Sequence, residues 1–167
     1  MIGAFVALML LVPGCYQAPV ESPIVDPFRA PECPFCPGNR GLEYRPPTGS
    51  RVVAAANGVV RFSGVVAGVR YVVTTQSDGR TATYGRLATA RLGVGASVAM
   101  GEVVGTTTDH FYFGLREGDR YIDPAPYLGV LRYRPRLVPV DGSSSRRAPP
   151  PTRVCAASGV GDRASRR

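Results

Sequence analysis

Residues 52–87 read VVAAANGVVRFSGVVAGVRYVVTTQSDGRTATYGRL, and this stretch decides the fold. Short runs rich in Val, Thr and Tyr alternate there with Asn57-Gly58 and Ser77-Asp78-Gly79, which favour tight turns between antiparallel strands. Two further β-prone runs follow at 103–107 and 110–115, and no segment keeps a helical period. The pattern predicts an all-β domain, a small antiparallel β-sandwich or barrel.

The charge of the chain is concentrated at its C-terminal end. The 167 residues carry a formal net charge of +8, and all 20 basic residues are Arg. Nine Arg and only two acidic residues fall within 130–167, where Ser, Pro and Arg dominate from residue 139 onward. That composition is typical of disordered segments. We therefore expect residues 130–167 to form an edge extension and a disordered basic tail. Because most of the charge lies outside the domain, we expect no nucleic-acid partner.

The first 15 residues have the pattern of a targeting segment. The apolar run at 2–12 is too short to span a bilayer, for which about 20 residues are needed, but it matches the apolar part of a secretory signal. Val12-Pro13-Gly14-Cys15 is similar to a lipoprotein cleavage site, at which Cys15 would carry the lipid. We therefore expect residues 1–15 to be a signal peptide or a lipoprotein signal, and the protein to be exported. The Pro-rich residues 16–38 are predicted to form a linker or a wrap over the domain edge.

Export would allow the other cysteines to form disulfides. Cys33 and Cys36 make a CxxC motif in the Pro-rich segment, and Cys155 lies in the tail. We expect Cys155 to bridge to Cys33 or Cys36 and so hold the C-terminal extension against the domain. A short Cys33–Cys36 bridge is the alternative, and a CxxC motif is also compatible with a redox pair or with half of a metal site.

Six sequence landmarks occur in a fixed order within residues 39–129. They are Asn39-Arg-Gly-Leu-Glu43, Val52-Val-Ala-Ala-Ala-Asn-Gly-Val59, Tyr84-Gly-Arg-Leu87, Val94-Gly-Ala-Ser-Val-Ala-Met-Gly101, His110-Phe-Tyr-Phe-Gly-Leu-Arg116 and Tyr121-Ile-Asp-Pro124. In this order they resemble the LytM-type (lysostaphin-like) zinc endopeptidases, which cleave peptidoglycan cross-links. The resemblance implies that residues 39–129 form a LytM-type β domain.

The same resemblance implies a degenerate active site. At the three positions where the family binds zinc, this chain has Asn39, Glu43 and Tyr112, and a His that assists catalysis is replaced by Arg86. Only His110 matches a catalytic residue of the family, an acid–base His. An amide, and a phenol with a pKa of about 10, are poor zinc ligands at neutral pH. We therefore expect the zinc to be lost, with no metal and no other cofactor bound.

We expect these five side chains, together with Tyr84, to converge on one groove. With no dication between them, Glu43 and Arg86 are expected to form an ion pair that organises the groove. Tyr84 and Tyr112 are candidates for contacts with a wall ligand, and packing within the sheet is the alternative for both.

These observations favour a catalytically inactive LytM-type domain in the bacterial cell envelope or outside the cell. Its partner would be peptidoglycan, held by its stem peptides, or another cell-wall hydrolase that it regulates, and Cys15 is the candidate lipid anchor. The alternative is a divergent but active metallo-endopeptidase of peptidoglycan cross-links. The absence of Lys excludes a biotinyl or lipoyl carrier, and a single His excludes a phosphocarrier with paired histidines.

Overall fold

The computed structural model describes residues 15–33, 35–133 and 151–156, and these fold almost entirely as β-strands. Residues 1–14 of the expected signal segment lie outside the described residues, as do 134–150 and 157–167 of the tail. Within the described part of the chain, no helix is long and apolar enough to cross a membrane.

The elements follow one another along the chain as short and long strands with a single turn of 3-10 helix. They are β1 (Tyr16–Gln17), β2 (Ile24–Asp26), β3 (Gly41–Tyr44), β4 (Arg51–Val53), β5 (Gly58–Val66), β6 (Val69–Gln76), β7 (Thr81–Ala90), β8 (Ser97–Val98), β9 (Val103–Glu117), β10 (Arg120–Ile122), the 3-10 helix (Ala125–Tyr127), β11 (Leu128–Arg132) and β12 (Thr152–Val154).

The spine of the main sheet is β9, a strand of 15 residues. Neighbouring strands follow the order β2-β3-β9-β7-β6-β5-β8, while β4 and β10 pair with the two ends of β9. All of these pairings are antiparallel. The structure confirms the predicted all-β antiparallel fold, and it shows that the runs at 103–107 and 110–115 belong to one strand.

The turns of the main sheet agree only in part with the sequence. Ser77-Asp78-Gly79 joins β6 to β7 as predicted, with Gly79 at a φ of 86°. Asn57-Gly58 closes no hairpin, since β4 pairs with β9 and β5 pairs with β6. The Asn57 side chain instead accepts a hydrogen bond from the Met100 N–H, 2.7 Å away. The β5–β6 hairpin turns at Ala67-Gly68, whose positive φ angles of 48° and 79° are those of a type I′ turn.

One face of the main sheet is buried and the other is partly exposed. On the buried face, side chains such as Leu42, Tyr84 and Phe113 are fully enclosed in the hydrophobic core. Residues next to these in sequence, such as Glu43 and Tyr112, point to the other face and are only partly buried. Because successive side chains of a strand alternate between faces, the sheet builds a core on one side and leaves the other side available for a site.

The terminal segments form a second, smaller sheet, in which β1 runs parallel to β11 and β12 runs antiparallel to it. A disulfide joins Cys15 to Cys155 next to this sheet, and Cys33 is bonded to Cys36. The expected bridge from Cys155 to Cys33 or Cys36 is therefore wrong. Pairing of β1 and β12 with β11 brings Cys15, and not the CxxC loop, beside the residue that follows β12. A sulfur in this disulfide has no valence left for a lipid, so the bridge and a lipid anchor at Cys15 exclude each other.

Within 16–38, the described residues 16–33 and 35–38 are a wrap over the domain edge and not a free linker. The strand β2 pairs with β3, and Val20 packs into the core. Near the start of the wrap, the Tyr16 hydroxyl donates a hydrogen bond to Asp78 Oδ2 at 2.6 Å. At the other end of the chain, residues 151–156 include β12, so the expectation of disorder is wrong for this stretch, which completes the smaller sheet and is tied down by the disulfide.

Candidate functional site

The neighbouring strands β3 and β9 bring predicted site residues together on the partly exposed face of the main sheet. In the register of the strands, Glu43 of β3 lies opposite Tyr112 of β9, and Tyr112 lies opposite Gly85 of β7. Gly85 in turn lies opposite Tyr71 of β6. His110 precedes Tyr112 by two residues on β9 and contacts Glu43 from there. Of the predicted site residues, the structure brings Glu43, His110 and Tyr112 to one place.

Glu43 and His110 form the central polar contact of this face. Glu43 Oε2 and His110 Nε2 lie 2.7 Å apart, and the two side chains are 23% and 20% exposed. The expected Glu43–Arg86 ion pair is wrong, because the carboxylate is engaged by His110. Among the described residues, no ion pair includes the Arg86 guanidinium.

Arg86 takes no part in this contact because β7 bulges where it lies. The pairing of β7 with β9 shifts between Gly85 and Leu87, and Arg86 has a φ of 61°, which is uncommon for a residue with a Cβ. The side chain is exposed, while the carbonyl oxygen accepts a hydrogen bond from Thr108 Oγ1 at 3.1 Å. A bulge changes the direction of a side chain, so strand alternation alone does not predict where Arg86 points.

Asn39 is buried and holds the wrap against the main sheet. Only 6% of the residue is exposed. Its amide nitrogen donates to the carbonyl oxygens of Asp26 and Pro27, at 3.2 and 3.1 Å, and its Oδ1 accepts from the Gly41 N–H at 3.2 Å. The amide oxygen and nitrogen are therefore both engaged by the backbone.

The Tyr112 ring lies over three glycines. A Cβ built on Gly41 would come within 2.7 Å of the ring at Cε2, one on Gly85 within 3.2 Å at Cδ1, and one on Gly114 within 2.6 Å of the hydroxyl. These glycines belong to the adjacent strands β3, β7 and β9, and their missing side chains leave the space that the ring fills. Burial raises the pKa of the Tyr112 phenol, so the hydroxyl stays protonated at neutral pH.

Tyr84 lies on the opposite face of the main sheet. It is fully buried, its hydroxyl accepts a hydrogen bond from the Ala55 N–H at 2.8 Å, and its ring centre is 5.4 Å from that of Phe113. The expectation that Tyr84 lines the groove is therefore wrong. In the register of β7 and β9, Tyr84 lies opposite Phe113, whose side chain is buried in the core.

The donor atoms on this face do not fit the zinc site that the resemblance implies. A catalytic zinc site requires three protein ligands and an open position for water. The Asn39 amide is held by the backbone, the Glu43 carboxylate is held by His110, and the Tyr112 phenol is protonated and packed on glycine. Within the described residues, no group of three or more His, Cys, Asp or Glu side chains is placed to hold a metal ion.

Sequence reasoning missed the aromatic and cationic residues that flank Tyr112. The guanidinium carbons of Arg40 and Arg116 lie 5.8 and 5.7 Å from the centre of the Tyr121 ring, within the range of cation–π contacts. Tyr71 lies on the other side, two strands away from Tyr112. The signals were present in the sequence, because Tyr71 lies in a β-prone run and Tyr121 opens the last landmark.

A cavity of about 1180 Å³ opens beside Tyr121 and Arg40. Its other wall comes from the wrap, through Phe28, Pro31 and Cys33. Glu43, His110 and Tyr112 do not line this cavity, so it is separate from the Glu43–His110 contact.

Comparison with known proteins places this arrangement in a family. The sequence model of Peptidase family M23 matches residues 37–124, just over half of the chain. No curated protein matches the sequence. Among solved structures, Csd3 of Helicobacter pylori is similar with a TM-score of 0.63 and 25% identity, over 69% of this chain and 35% of Csd3. The chain thus corresponds to about a third of the length of Csd3.

Two more distant structures share the fold. The catalytic domain of the antimicrobial peptidase lysostaphin from Staphylococcus simulans gives a TM-score of 0.55 at 17% identity, covering 64% of this chain and 91% of that domain. A zinc-containing peptidase from Vibrio cholerae gives 0.57 at 20% identity, covering 65% of this chain and 39% of that one. Both agree with the family match.

Proposed function

The chain belongs to peptidase family M23, and on that premise we propose that it is a catalytically inactive member, which acts in the bacterial cell envelope as a peptidoglycan-binding or hydrolase-regulating module. This proposal rests on the side chains at the three expected zinc-ligand positions, because each of them makes a different contact. Asn39 binds backbone atoms, Glu43 binds His110, and Tyr112 packs on glycines.

The chemistry of peptide hydrolysis explains why these contacts argue against catalysis. In a zinc peptidase the metal supplies a bound water of low pKa and polarises the carbonyl group that is attacked. Without it, the pKa of water stays far above neutral, so water is no nucleophile at neutral pH. Glu43 and His110 can hold or pass a proton between them, but they do not replace a Lewis acid.

The partly exposed face supports a binding role. It carries rings, a carboxylate, an imidazole and guanidinium groups on strands fixed by antiparallel pairing, so ligand contacts would be made by an already ordered surface. Disulfides persist in oxidising compartments, so the pairs Cys15–Cys155 and Cys33–Cys36 support an exported protein. Family membership supports the cell wall as its place of action.

Sedimentation with purified peptidoglycan sacculi tests the proposal. We expect the full chain to pellet with sacculi, or to change the rate at which an added wall hydrolase releases soluble fragments. We expect no release of fragments by the chain alone, with or without added zinc. Zinc-dependent release would establish the alternative, a divergent but active endopeptidase, and neither binding nor an effect on hydrolases would end the proposal.

A further inference from the structure

The strand β5 has an edge that is covered along only part of its length. The short strand β8 pairs with β5 at Gly58 and Val59, and the loop before β8 exchanges backbone hydrogen bonds with Val60. Residues 61–66 of β5 pair with β6 on one side, and within the described part of the chain no strand pairs with them on the other. We call residues 61–66 the open edge.

Ser63 and Val65 direct their backbone polar groups out of the open edge. Val66 and Val69 flank the two-residue turn of the β5–β6 hairpin, and residues in that position exchange backbone hydrogen bonds. Because hydrogen-bonded and non-hydrogen-bonded pairs alternate along an antiparallel ladder, the N–H and C=O groups of Ser63 and Val65 face away from β6. Among the described residues, no hydrogen bond reaches these groups from that side. The open edge therefore offers two donors and two acceptors to another strand.

The side chains of the open edge are largely apolar and exposed. Phe62 is 38% exposed, Val65 53% and Val66 54%. Soluble proteins usually protect a sheet edge with charged residues, Pro, a bulge or a covering loop. Here Arg61 and a bulge between Val60 and Phe62 lie at the start of the edge, and the rest has neither a charge nor a Pro. This part of the edge therefore has the properties of one that pairs with another strand.

The order of residues along the open edge is complementary to itself. Two copies related by a two-fold axis at Gly64 would place Ser63 of one copy opposite Val65 of the other, so that the outward backbone groups bind each other. The same register places Phe62 opposite Val66 of the second copy, which is a favourable aromatic and β-branched pair. The one charged residue of the edge falls opposite the uncharged turn, so no like charges meet.

We propose that the open edge is a dimerisation edge, which pairs antiparallel with the same edge of a second copy of this chain. Because the two-fold axis of such a pair is perpendicular to the sheet, both copies would present the partly exposed face on the same side of one continuous sheet. A six-residue edge is small beside the roughly 1,200–2,000 Å² of stable interfaces, so the dimer should be weak and depend on concentration. The pairing itself does not rest on the proposed function.

Sedimentation equilibrium of the full chain over a range of concentrations measures the dimerisation. Val65→Pro removes an outward N–H group that the hairpin does not use, and Pro is tolerated at such an edge position. We expect this variant to raise the dissociation constant of the dimer by about tenfold or more. The matched control Val65→Thr keeps the N–H group and the β-branched shape, and its dissociation constant should stay within about threefold of the parent.

Cysteine cross-linking tests the register and does not depend on the folding of the Pro variant. Gly64→Cys places two thiols at the two-fold axis, where the Cα atoms of a non-hydrogen-bonded pair lie about 4.5 Å apart, within reach of a disulfide. Mild oxidation should therefore give a covalent dimer, since the four native cysteines are already paired. The control Val66→Cys lies opposite Phe62 of the second copy and should give none.

Two results would overturn the proposal. One is a monomer at every concentration, which would leave the open edge to another segment of the chain or to a different partner. The other is equal cross-linking of Gly64→Cys and Val66→Cys, which would show contact without the proposed register. Because neither experiment uses cell-wall material, both results leave the proposed function to its own test.

Discussion

The Asn39 amide and the Tyr112 ring make contacts with the protein that a metal ligand would not make. The oxygen and nitrogen of the amide pair with backbone groups of Asp26, Pro27 and Gly41. A neutral His in place of Asn39 could not make all three of these hydrogen bonds, because its ring has only one donor and one acceptor. At the scale of the residue, the site is therefore adapted to packing and hydrogen bonding.

Replacing Asn39 by Ala should lower the free energy of unfolding by roughly 1–3 kcal/mol, because the buried Gly41 N–H and the partly buried carbonyl groups of Asp26 and Pro27 lose their partner. Denaturant unfolding measures the effect. Asn57→Ala is the matched control, since Asn57 is exposed and its side chain accepts one hydrogen bond, from Met100 N; it should cost about 1 kcal/mol or less. Equal losses in the two variants would contradict the role given to Asn39.

Tyr84→Phe should destabilise the protein without changing its binding to the wall. The variant removes the hydroxyl that accepts from the buried Ala55 N–H, and an unpaired buried group costs roughly 1–3 kcal/mol. Thermal unfolding and sedimentation with sacculi measure the two properties. A Tyr84→Phe variant with parental stability and weakened binding would return Tyr84 to the groove, where the sequence pattern put it.

At the scale of the elements, the terminal strands show that a local sequence pattern does not predict which distant strands pair. The parallel pairing of β1 with β11 and the antiparallel pairing of β12 join residues far apart in sequence. Periodicity reports which side of a strand is buried, but not which distant strand it meets. The longer strands β5, β6, β7 and β9 and the turn at Ser77-Asp78-Gly79 were predictable from local patterns, whereas the partner of Cys155 was not.

Two local features also escaped prediction for physical reasons. Asn57-Gly58 has strong turn chemistry, but its side chain caps a different loop, so tertiary contacts override the local signal. The ion pair of Arg86 with Glu43 was inferred from the positions of the family's site residues, which do not reveal that Arg86 lies on a bulge with positive φ. The contact between Glu43 and His110 needed the register of β3 on β9, which the sequence alone does not fix.

Cys155→Ser should destabilise the protein more than removal of the CxxC bridge. The Cys15–Cys155 disulfide spans a sequence separation of 140 residues, for which the chain-entropy relation gives about 5 kcal/mol. The Cys33–Cys36 disulfide spans a separation of 3, for which the same relation gives about 2 kcal/mol. Unfolding of Cys155→Ser and of the Cys33→Ser/Cys36→Ser double variant compares them.

Peptide mapping without reduction is the direct check on the pairing itself. It should recover one peptide pair that contains Cys15 and Cys155, and one peptide with an internal Cys33–Cys36 bridge. A lipid on Cys15, or a bridge from Cys155 to either Cys33 or Cys36, would contradict the arrangement of the smaller sheet.

At the scale of the whole molecule, the family fold is kept, while we propose that the donor atoms for the metal are not. The M23 match spans residues 37–124, and the main sheet keeps a partly exposed face on which Glu43, His110 and Tyr112 meet. A fold depends on its buried face, which is intact here, whereas an activity depends on a few side chains on the other face. The proposed loss of catalysis with retention of a binding surface would leave the buried face unchanged and alter only the other face.

Restoring the ligands should partly restore metal binding. The triple variant Asn39→His, Glu43→Asp, Tyr112→His supplies three zinc ligands of the types found in catalytic sites. Its affinity for zinc, measured by competition with a chelator, should exceed that of the parent. The double variant Asn39→His, Glu43→Asp retains Tyr112 and should gain much less. A triple variant that binds zinc no better than the parent would show that these positions do not correspond to the ligands of the family.

Zinc content of the purified chain tests the proposed loss of catalysis most directly. After expression with ample zinc and dialysis against metal-free buffer, elemental analysis should find far less than one zinc per chain, since Asn39, Glu43 and Tyr112 already make other contacts. Retention of about one zinc per chain through dialysis would contradict the account and identify the protein as a metalloprotein.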